Sequence, residues 1–505
     1  MVKLYLNFKV SSWLVDIDNV VIVGVDLGTS GVKALVVTEN LETKGSGQCG
    51  YPINFPRSGW AEQNPLDWEK ALGPAINQAL NDAAITVNDV TAIGVTGQLD
   101  GCIPTDKNGC AVGPCLTWAD RRAQRELVGI DAEMVQNCSG LILDPGHMAA
   151  KIRWLKNNSF NGTVDCYHQP VSYLVSNLTG NKVFDHSLAS TTMLYNLRDR
   201  EYDQHLLNLF GVEEDELPSI DRSYSQAGVL TELGALLTGL NIGTPVSVGT
   251  GDDFAALLGA GFYTSGNMVV VSGTAEVVGA IHPTPVIDRS RLLETHIYPS
   301  GEYFIENPGW LSGGALIWLS NILNIGGIEE IEELSTNVPP GAEGITFLPA
   351  LNGAMTPEWN ASARGCFFGL GVNHGPEHLA RAVLEGTAFA IRDVGTRLKE
   401  LGVEFHSVLL LGGGARSKEW AHIRADVLGV PVAIPNFVDT TALGAAMTAA
   451  VATGLYADLR SCSKMASDNL EISTIEPSFS EEYETAYQSY HKLYDNLKSM
   501  FMSKN

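Results

Sequence analysis

Two segments almost half a chain apart are built on one plan, and that echo restricts the architecture more than any other feature of these 505 residues. The first runs Val20-Val-Ile-Val-Gly-Val-Asp26-Leu-Gly28-Thr29-Ser30-Gly31-Val-Lys33: an apolar, β-branched run suited to a fully buried strand, a Gly-Thr turn, then a second strand. The second, Asn267-Met-Val-Val-Val-Ser272-Gly273-Thr274-Ala-Glu-Val-Val278, repeats that order. Each is followed by a further buried strand ending in glycine: Val90-Thr-Ala-Ile-Gly-Val-Thr96-Gly97-Gln98 in the first half, Ser407-Val-Leu-Leu-Leu-Gly412-Gly413-Gly414 in the second. Chance could give one echo. Two in the same order predict duplicated α/β domains facing across a cleft.

The first turn has chemistry of its own. Asp26 sets a carboxylate at the end of a buried strand, while Gly28 and Gly31 let backbone N–H groups approach an anion closely. Thr29 and Ser30 add hydroxyl donors and Lys33 a mobile positive charge. A carboxylate beside anion donors makes sense if a cation sits between them, which points to a metal-bound polyphosphate, with Asp26 reaching Mg²⁺ through water. An ordinary tight hairpin would use the same glycines, so both readings stand at this point. The segment is no P-loop, since no Gly immediately precedes Lys33, and Gly249-Thr-Gly251-Asp-Asp-Phe254 is no dinucleotide fingerprint, since Phe254 replaces its third Gly.

A chain of this length, at about 150 residues per domain, predicts two large, elaborated domains. No apolar run of roughly 18 residues marks a membrane span. The net charge of −25, from 32 basic and 57 acidic residues, argues against a nucleic acid or an anionic membrane as partner. Eight cysteines without a Cys-x-x-Cys pair read as reduced thiols of a cytoplasmic protein. Residues 1–19 lack a clean apolar signal core and read as an extension ahead of the first domain. Pro65 to Leu80 carries helical spacing behind Asn64, a cap residue, and Leu379 to Asp393 reads as a largely buried helix in which Glu385 is a surface or ion-paired carboxylate. The periodicity breaks over Gly261-Phe-Tyr-Thr-Ser-Gly266, which marks the boundary between residues 20–262 and 263–505.

Taken in order, nine segments make the chain resemble the FGGY carbohydrate kinases, a branch of the actin, hexokinase and Hsp70 ATPase superfamily, and within it the xylulose kinases most. They are Val25-Asp-Leu-Gly-Thr-Ser-Gly-Val-Lys33, Gly59-Trp-Ala-Glu-Gln-Asn-Pro65, Gly97-Gln-Leu-Asp-Gly101, Trp118-Ala-Asp-Arg121, Gly249-Thr-Gly-Asp-Asp253, Phe347-Leu-Pro349, Arg364-Gly-Cys-Phe-Phe-Gly369, Arg381-Ala-Val-Leu-Glu-Gly386 and Leu411-Gly-Gly-Gly-Ala-Arg-Ser417. The resemblance implies two duplicated ribonuclease H-like domains: an N-terminal one that binds the sugar and carries the catalytic base, and a C-terminal one that binds nucleotide.

It also implies roles, residue by residue. Asp252 falls at the aspartate that takes the proton from the sugar hydroxyl; its ordinary pKa of about 4 would leave it ionised at neutral pH. Asp252 would also suit a helix N-cap, and the two roles are compatible. Asp253 follows where relatives contact substrate hydroxyls, and a second carboxylate there would repel Asp252 and raise one of the two pKa values. Thr29, Ser30 and Lys33 on one side and Gly273 with Thr274 on the other would hold the phosphates of ATP, with Asp26 and Asp252 as the carboxylates for Mg²⁺. Gly412, Gly413, Gly414 and Ala415 resemble the adenosine loop. Gly313, with Gly314, would line the purine slot or simply start a helix, and Asp439 to Ala446 match a helix behind the nucleotide.

On the acceptor side the resemblance assigns Gln98, Leu99, Asp100, Trp118 and Asp253. Xylulose kinases carry Met-His where this chain has Leu99-Asp100, and glycerol kinases carry Arg-Glu, so an acid at position 100 has precedent with another substrate class. Asp100 can only accept hydrogen bonds from vicinal hydroxyls. Trp118 would stack on the C–H face of a sugar or be an ordinary buried tryptophan. Gly353-Ala-Met-Thr-Pro357 lacks the Glu-Arg pair usual in xylulose kinases. The expected reaction is phosphorylation of a primary hydroxyl by Mg²⁺–ATP, D-xylulose to D-xylulose 5-phosphate first, with ribulose, glycerol or erythritol as alternatives. A conformational ATPase or a sugar-binding regulator without catalysis are the rival classes. A homodimer is expected from the resemblance alone.

Overall fold

The computed structural model describes residues 20–158, 163–436 and 439–501, so the extension predicted for residues 1–19 lies outside the described residues. The first half opens with β1 (Val21–Leu27), buried along its whole length, and turns at Gly28–Ser30 into the antiparallel β2 (Gly31–Thr38). β3 (Thr43–Gly50) continues the meander. Helix α1 (Pro65–Ala83) begins where expected, with the Asn64 side chain accepting the Leu66 N–H at 3.2 Å. β4 (Val90–Gly97) then pairs parallel to β1. After α2 (Met148–Asn157), the strands β5 (Gln226–Val229), β6 (Pro245–Ser247) and β7 (Thr250–Gly251) lead into α3 (Asp252–Gly259). The resulting sheet runs β5-β6-β4-β1-β2-β3, with β7 also on β4.

The second half repeats the plan. β8 (Gly266–Ser272) and β9 (Ala275–His282) form the echo hairpin, followed by β10 (Glu294–Ile297), β11 (Tyr303–Leu311), α4 (Gly313–Leu323) and α5 (Pro376–Glu400). β12 (Phe405–Leu411) pairs parallel to β8, as β4 does to β1. Then come α6 (Lys418–Leu428), β13 (Val432–Pro435), α7 (Thr440–Ala452), β14 (Ile472–Ile475) and α8 (Ser480–Phe501). The sheet order is β10-β11-β9-β8-β12-β13-β14, and each half carries one seven-stranded mixed sheet. The two echoes are thus two α/β units with matching hairpins and matching parallel strands.

α3 and α7 occupy equivalent places after β6–β7 and β13, and they pack directly on one another. A Cβ on Gly259 would lie 2.0 Å from the Thr440 carbonyl oxygen, and one on Gly444 would lie 2.0 Å from that of Ala255. Backbone therefore meets backbone, which only glycine permits. α7 also lies across the first sheet: a Cβ on Gly24 of β1 or Gly94 of β4 would strike the carbonyls of Ala442 and Ala445. One buried cluster accordingly joins Ile22 and Ala92 of the first sheet, Phe254 and Leu257 of α3, and Ala446 and Met447 of α7.

α5 is largely buried, and its Glu385 is ion-paired: Arg381 Nε donates to it at 2.7 Å and the Gly341 N–H at 2.9 Å, while Arg381 also donates to the Tyr483 hydroxyl of α8. The eight cysteines are free thiols. Among the described residues no helix is long and apolar enough to cross a membrane.

Candidate functional site

The first hairpin turn is partly and the second fully exposed, and in both the carbonyl oxygens are occupied from elsewhere. At the first, the Tyr51 hydroxyl donates to Gly28 O at 2.5 Å, and the Gln63 amide donates to Thr29 O at 2.6 Å. At the second, Gly313 N donates to Gly273 O at 3.2 Å, and Ser312 N and Gly314 N donate to Thr274 O at 3.1 and 3.0 Å. A turn whose oxygens are bonded away presents its N–H edge, the polarity that suits an anion. Gly313 and Gly314 thus buttress the Gly273–Thr274 turn from the start of α4. Beneath the same turn Arg424 of α6 donates to Ser272 Oγ at 2.8 Å and to the Glu276 carboxylate, the two residues flanking the turn, and all three side chains are buried.

Asp26, at the end of β1, is buried, and its Oδ1 has no hydrogen-bond partner. Burial, reinforced by Asp439 and Asp253 and opposed by Lys33, pushes its carboxyl up to about 7. Asp252 is the first residue of α3. Gly251 holds the N-cap position, so the capping role considered for Asp252 is not taken up. Burial first, then the charges of Asp253 and Asp26, raise the Asp252 carboxyl well above the usual range. Asp253 is pushed up to about 7 by burial, Glu306 and Asp100, against His296. Three mutually repelling carboxylates and one unpartnered buried oxygen fit a hard cation. Among the described residues no three His, Cys, Asp or Glu stand together as a metal centre.

The acceptor candidates form a second layer on the first half. Gln98 is buried, donates from its amide to Gln63 Oε1 at 2.6 Å, and keeps its own Oε1 unpartnered. A chain Gln98–Gln63–Thr29 so ties the Gln98–Asp100 segment to the Gly28–Ser30 turn. Leu99 packs on the N-terminus of α3: a Cβ on Gly251 would fall 1.9 Å from Leu99 Cδ2. Trp118 is 47% exposed rather than buried, and its indole N–H donates to Thr29 Oγ1 at 3.2 Å. Asp100 has φ +56°, its N–H donates to Gln169 Oε1 at 3.0 Å, and its carboxylate lies 3.4 Å from His147 Nδ1. Burial pushes this carboxyl up, but His147, Lys151 and His296 outweigh it and hold the group below the usual range.

Lys33, half-exposed, is ion-paired across the halves: its Nζ is 3.2 Å from Asp439, at the start of α7. The pair borders a cavity of about 400 Å³ lined also by Gly412, Gly413, Ala415 and Asn436, between the end of β12 and α7. Gly414 turns away from it, where a Cβ would meet Ser272 Oγ at 2.2 Å. A larger cavity of about 580 Å³, between Asp131 and His205, is remote from this chemistry, and its Asp131 and Asp203 cap helices. Ala354 and Met355 belong to the core of the second half, where Met355 O accepts from Asn307 at 3.4 Å.

The sequence reading missed His147, Lys151, Glu294, His296 and Glu306, which stand beside Asp100 and Asp253. His147 follows a Pro-Gly turn and Glu294 alternates with His296 along one strand, but neither pattern by itself separates a site residue from a core one.

Comparison with known proteins shows the family and the fold. Residues 21–259 match the N-terminal domain and residues 268–453 the C-terminal domain of the FGGY family of carbohydrate kinases. A glycerol kinase of Thermococcus kodakarensis is 32% identical over 466 residues, 88% of this chain and 90% of that protein. The crystal structure of a xyloylose kinase from Brucella ovis superposes with a TM-score of 0.88 at 31% identity, covering 95% of this chain and all of that one. A xylulose kinase from Rhodospirillum rubrum gives a TM-score of 0.86 at 26% identity, with 95% and 100% covered.

Proposed function

The chain belongs to the FGGY family of carbohydrate kinases, ATP-dependent phosphotransferases acting on an alcohol, and from that premise we propose that it phosphorylates a primary hydroxyl of a small neutral sugar or polyol, D-xylulose to D-xylulose 5-phosphate first. The observation that carries this reading is the grouping of Asp252, Asp253 and Asp26 at the start of α3, with Gln98, Leu99 and Asp100 beside it and a glycine-lined cavity across α7.

In this reading Asp252 orients the acceptor hydroxyl and takes its proton as attack on the terminal phosphorus proceeds. Thr29, Ser30 and Thr274 present N–H and hydroxyl donors to the phosphates, Gly273 leaves room for their approach while its own N–H is held by Ala275 O at 2.8 Å, and Gly412, Gly413 and Ala415 leave room for the adenosine. Asp26 and Asp252 would hold Mg²⁺, which supplies positive charge against the phosphate oxygens. Asp100 and Asp253 accept hydrogen bonds from the remaining acceptor hydroxyls, and Trp118 covers the entrance.

Glycerol is the second reading, favoured by the carboxylate at position 100 and by relatives named glycerol kinases. ADP release measured with D-xylulose, D-ribulose, erythritol and glycerol tests both. Acceptor-dependent release with one of them supports the proposal and ranks the substrates. Release that is independent of every acceptor points to a conformational ATPase, and stabilisation by sugar without release points to a regulator. A cytoplasmic location, a homodimer and a domain boundary between residues 262 and 263 complete the proposal; size-exclusion chromatography with light scattering checks the dimer.

A further inference from the structure

We infer that His147 and Glu294 are positioning residues for the acceptor, and that strand β10 of the second half thereby sets what the first half can bind. The inference rests on the reading that the acceptor lies beside Asp100 and Asp253.

β10 is the edge strand of its sheet, bonded to β11 on one side only. Its other side is docked on the first half: Thr295 N donates to Gly140 O at 3.0 Å, and Ile297 N donates to Ser190 Oγ at 3.0 Å. Immediately before these anchors the Glu294 carboxylate accepts the Ile142 N–H at 2.9 Å and lies 3.2 Å from His147 Nε2. The other ring nitrogen of His147 faces Asp100 at 3.4 Å. An imidazole with a carboxylate at each nitrogen donates to both only when doubly protonated. The carboxylates of Asp100 and Glu294 do hold His147 well above its ordinary value, against the effect of burial.

Asp100 needs such a partner. Its positive φ is uncommon for a residue with a side chain, and the loop is fixed around it: Gln169 accepts its N–H and Lys151 donates to its carbonyl oxygen at 2.6 Å. The row continues on the second half, where His296 Nε2 is 2.9 Å from Glu306 and 3.9 Å from Glu294. The acceptor therefore meets Asp100, Asp253 and Glu306, with His147, His296 and Lys151 already engaged by carboxylates or carbonyls. That is a surface for hydroxyl donors, and it repels a sugar acid or a sugar phosphate.

The test is a double-mutant cycle of His147→Ala and Glu294→Gln, read by acceptor KM, ATP KM, kcat and melting temperature, with gluconate added to the neutral acceptors. His147→Ala is expected to raise the acceptor KM about tenfold with ATP KM unchanged, and Glu294→Gln to act in the same direction. The double variant should lose no more than His147→Ala alone, because both act through Asp100. If His147→Ala does not fold, the isosteric Glu294→Gln carries the test. An unchanged acceptor KM with only a lowered melting temperature, additive losses in the cycle, or turnover of gluconate by the wild type each overturn the inference. A wild type that turns over no acceptor overturns the kinase reading as well, which separates the two failures.

Discussion

Replacing Gly444 by alanine puts a Cβ 2.0 Å from the carbonyl oxygen of Ala255. A non-bonded carbon and oxygen need about 3.3 Å, so α7 and α3 must part by roughly 1.3 Å at that point. Overpacking of this kind costs ~1–3 kcal/mol, which in a chain of this size lowers the melting temperature by a few degrees. The larger effect is expected on turnover. α3 begins at Asp252, and a displacement of about 1 Å at a reacting group costs on the order of 100-fold in rate. Differential scanning calorimetry and acceptor-dependent ADP release measure the two quantities on one preparation. A Gly444→Ala protein with unchanged melting temperature and turnover would refute the backbone contact itself. A lowered melting temperature with full turnover would leave the contact but refute its link to Asp252.

Asp252→Asn should lower turnover by about a thousandfold or more while Mg²⁺–ADP still raises the melting temperature; near-normal turnover would remove Asp252 as the base. Asp26, raised from 3.8 to about 7, keeps a proton in the folded protein that the unfolded chain has already released, so its contribution to stability fades as pH rises through that window. Asp26→Asn should therefore gain on the wild type in melting temperature between about pH 4 and about pH 7, and parallel curves across that range would contradict the burial of that carboxyl. Arg424→Leu leaves Glu276 buried without its partner and should cost ~3–5 kcal/mol in urea unfolding, much of it recovered in Arg424→Leu/Glu276→Gln. A single variant as stable as the wild type, or a double variant no better than the single, would sink that account.

The hairpins, the parallel strands behind them and the helix after Asn64 were legible because each is a local pattern: an apolar run, a Gly-Thr turn, a cap. The matching halves followed from the order of those patterns. The acceptor side was legible only where it is continuous in sequence, at Gln98–Asp100 and Asp252–Asp253. Its remaining groups come from a loop before α2 and from β10 and β11, and only the docking of β10 on the first half brings them together. The ion pair of Lys33 was not legible, because its partner Asp439 lies on the far half. The upward push on the Asp252 carboxyl was not legible, because a single residue's ordinary value says nothing of two further carboxylates folded against it. Trp118 could not be placed, since exposure depends on what covers a residue rather than on its type.

The crossing of α7 over the first sheet has a consequence for how the chain is born. Gly24 and Gly94 leave the ribosome long before Ala442 and Ala445, and at roughly 5–20 residues per second the first sheet waits on the order of tens of seconds for the helix that seals it. Until then Ile22 and Ala92 line an open groove, the kind of surface that chaperones shield. A nascent chain halted before residue 440 therefore carries two unfinished halves instead of one finished domain. The cleft in which the chemistry is proposed closes its core only once α7 has been made, and the two halves reach the native state together.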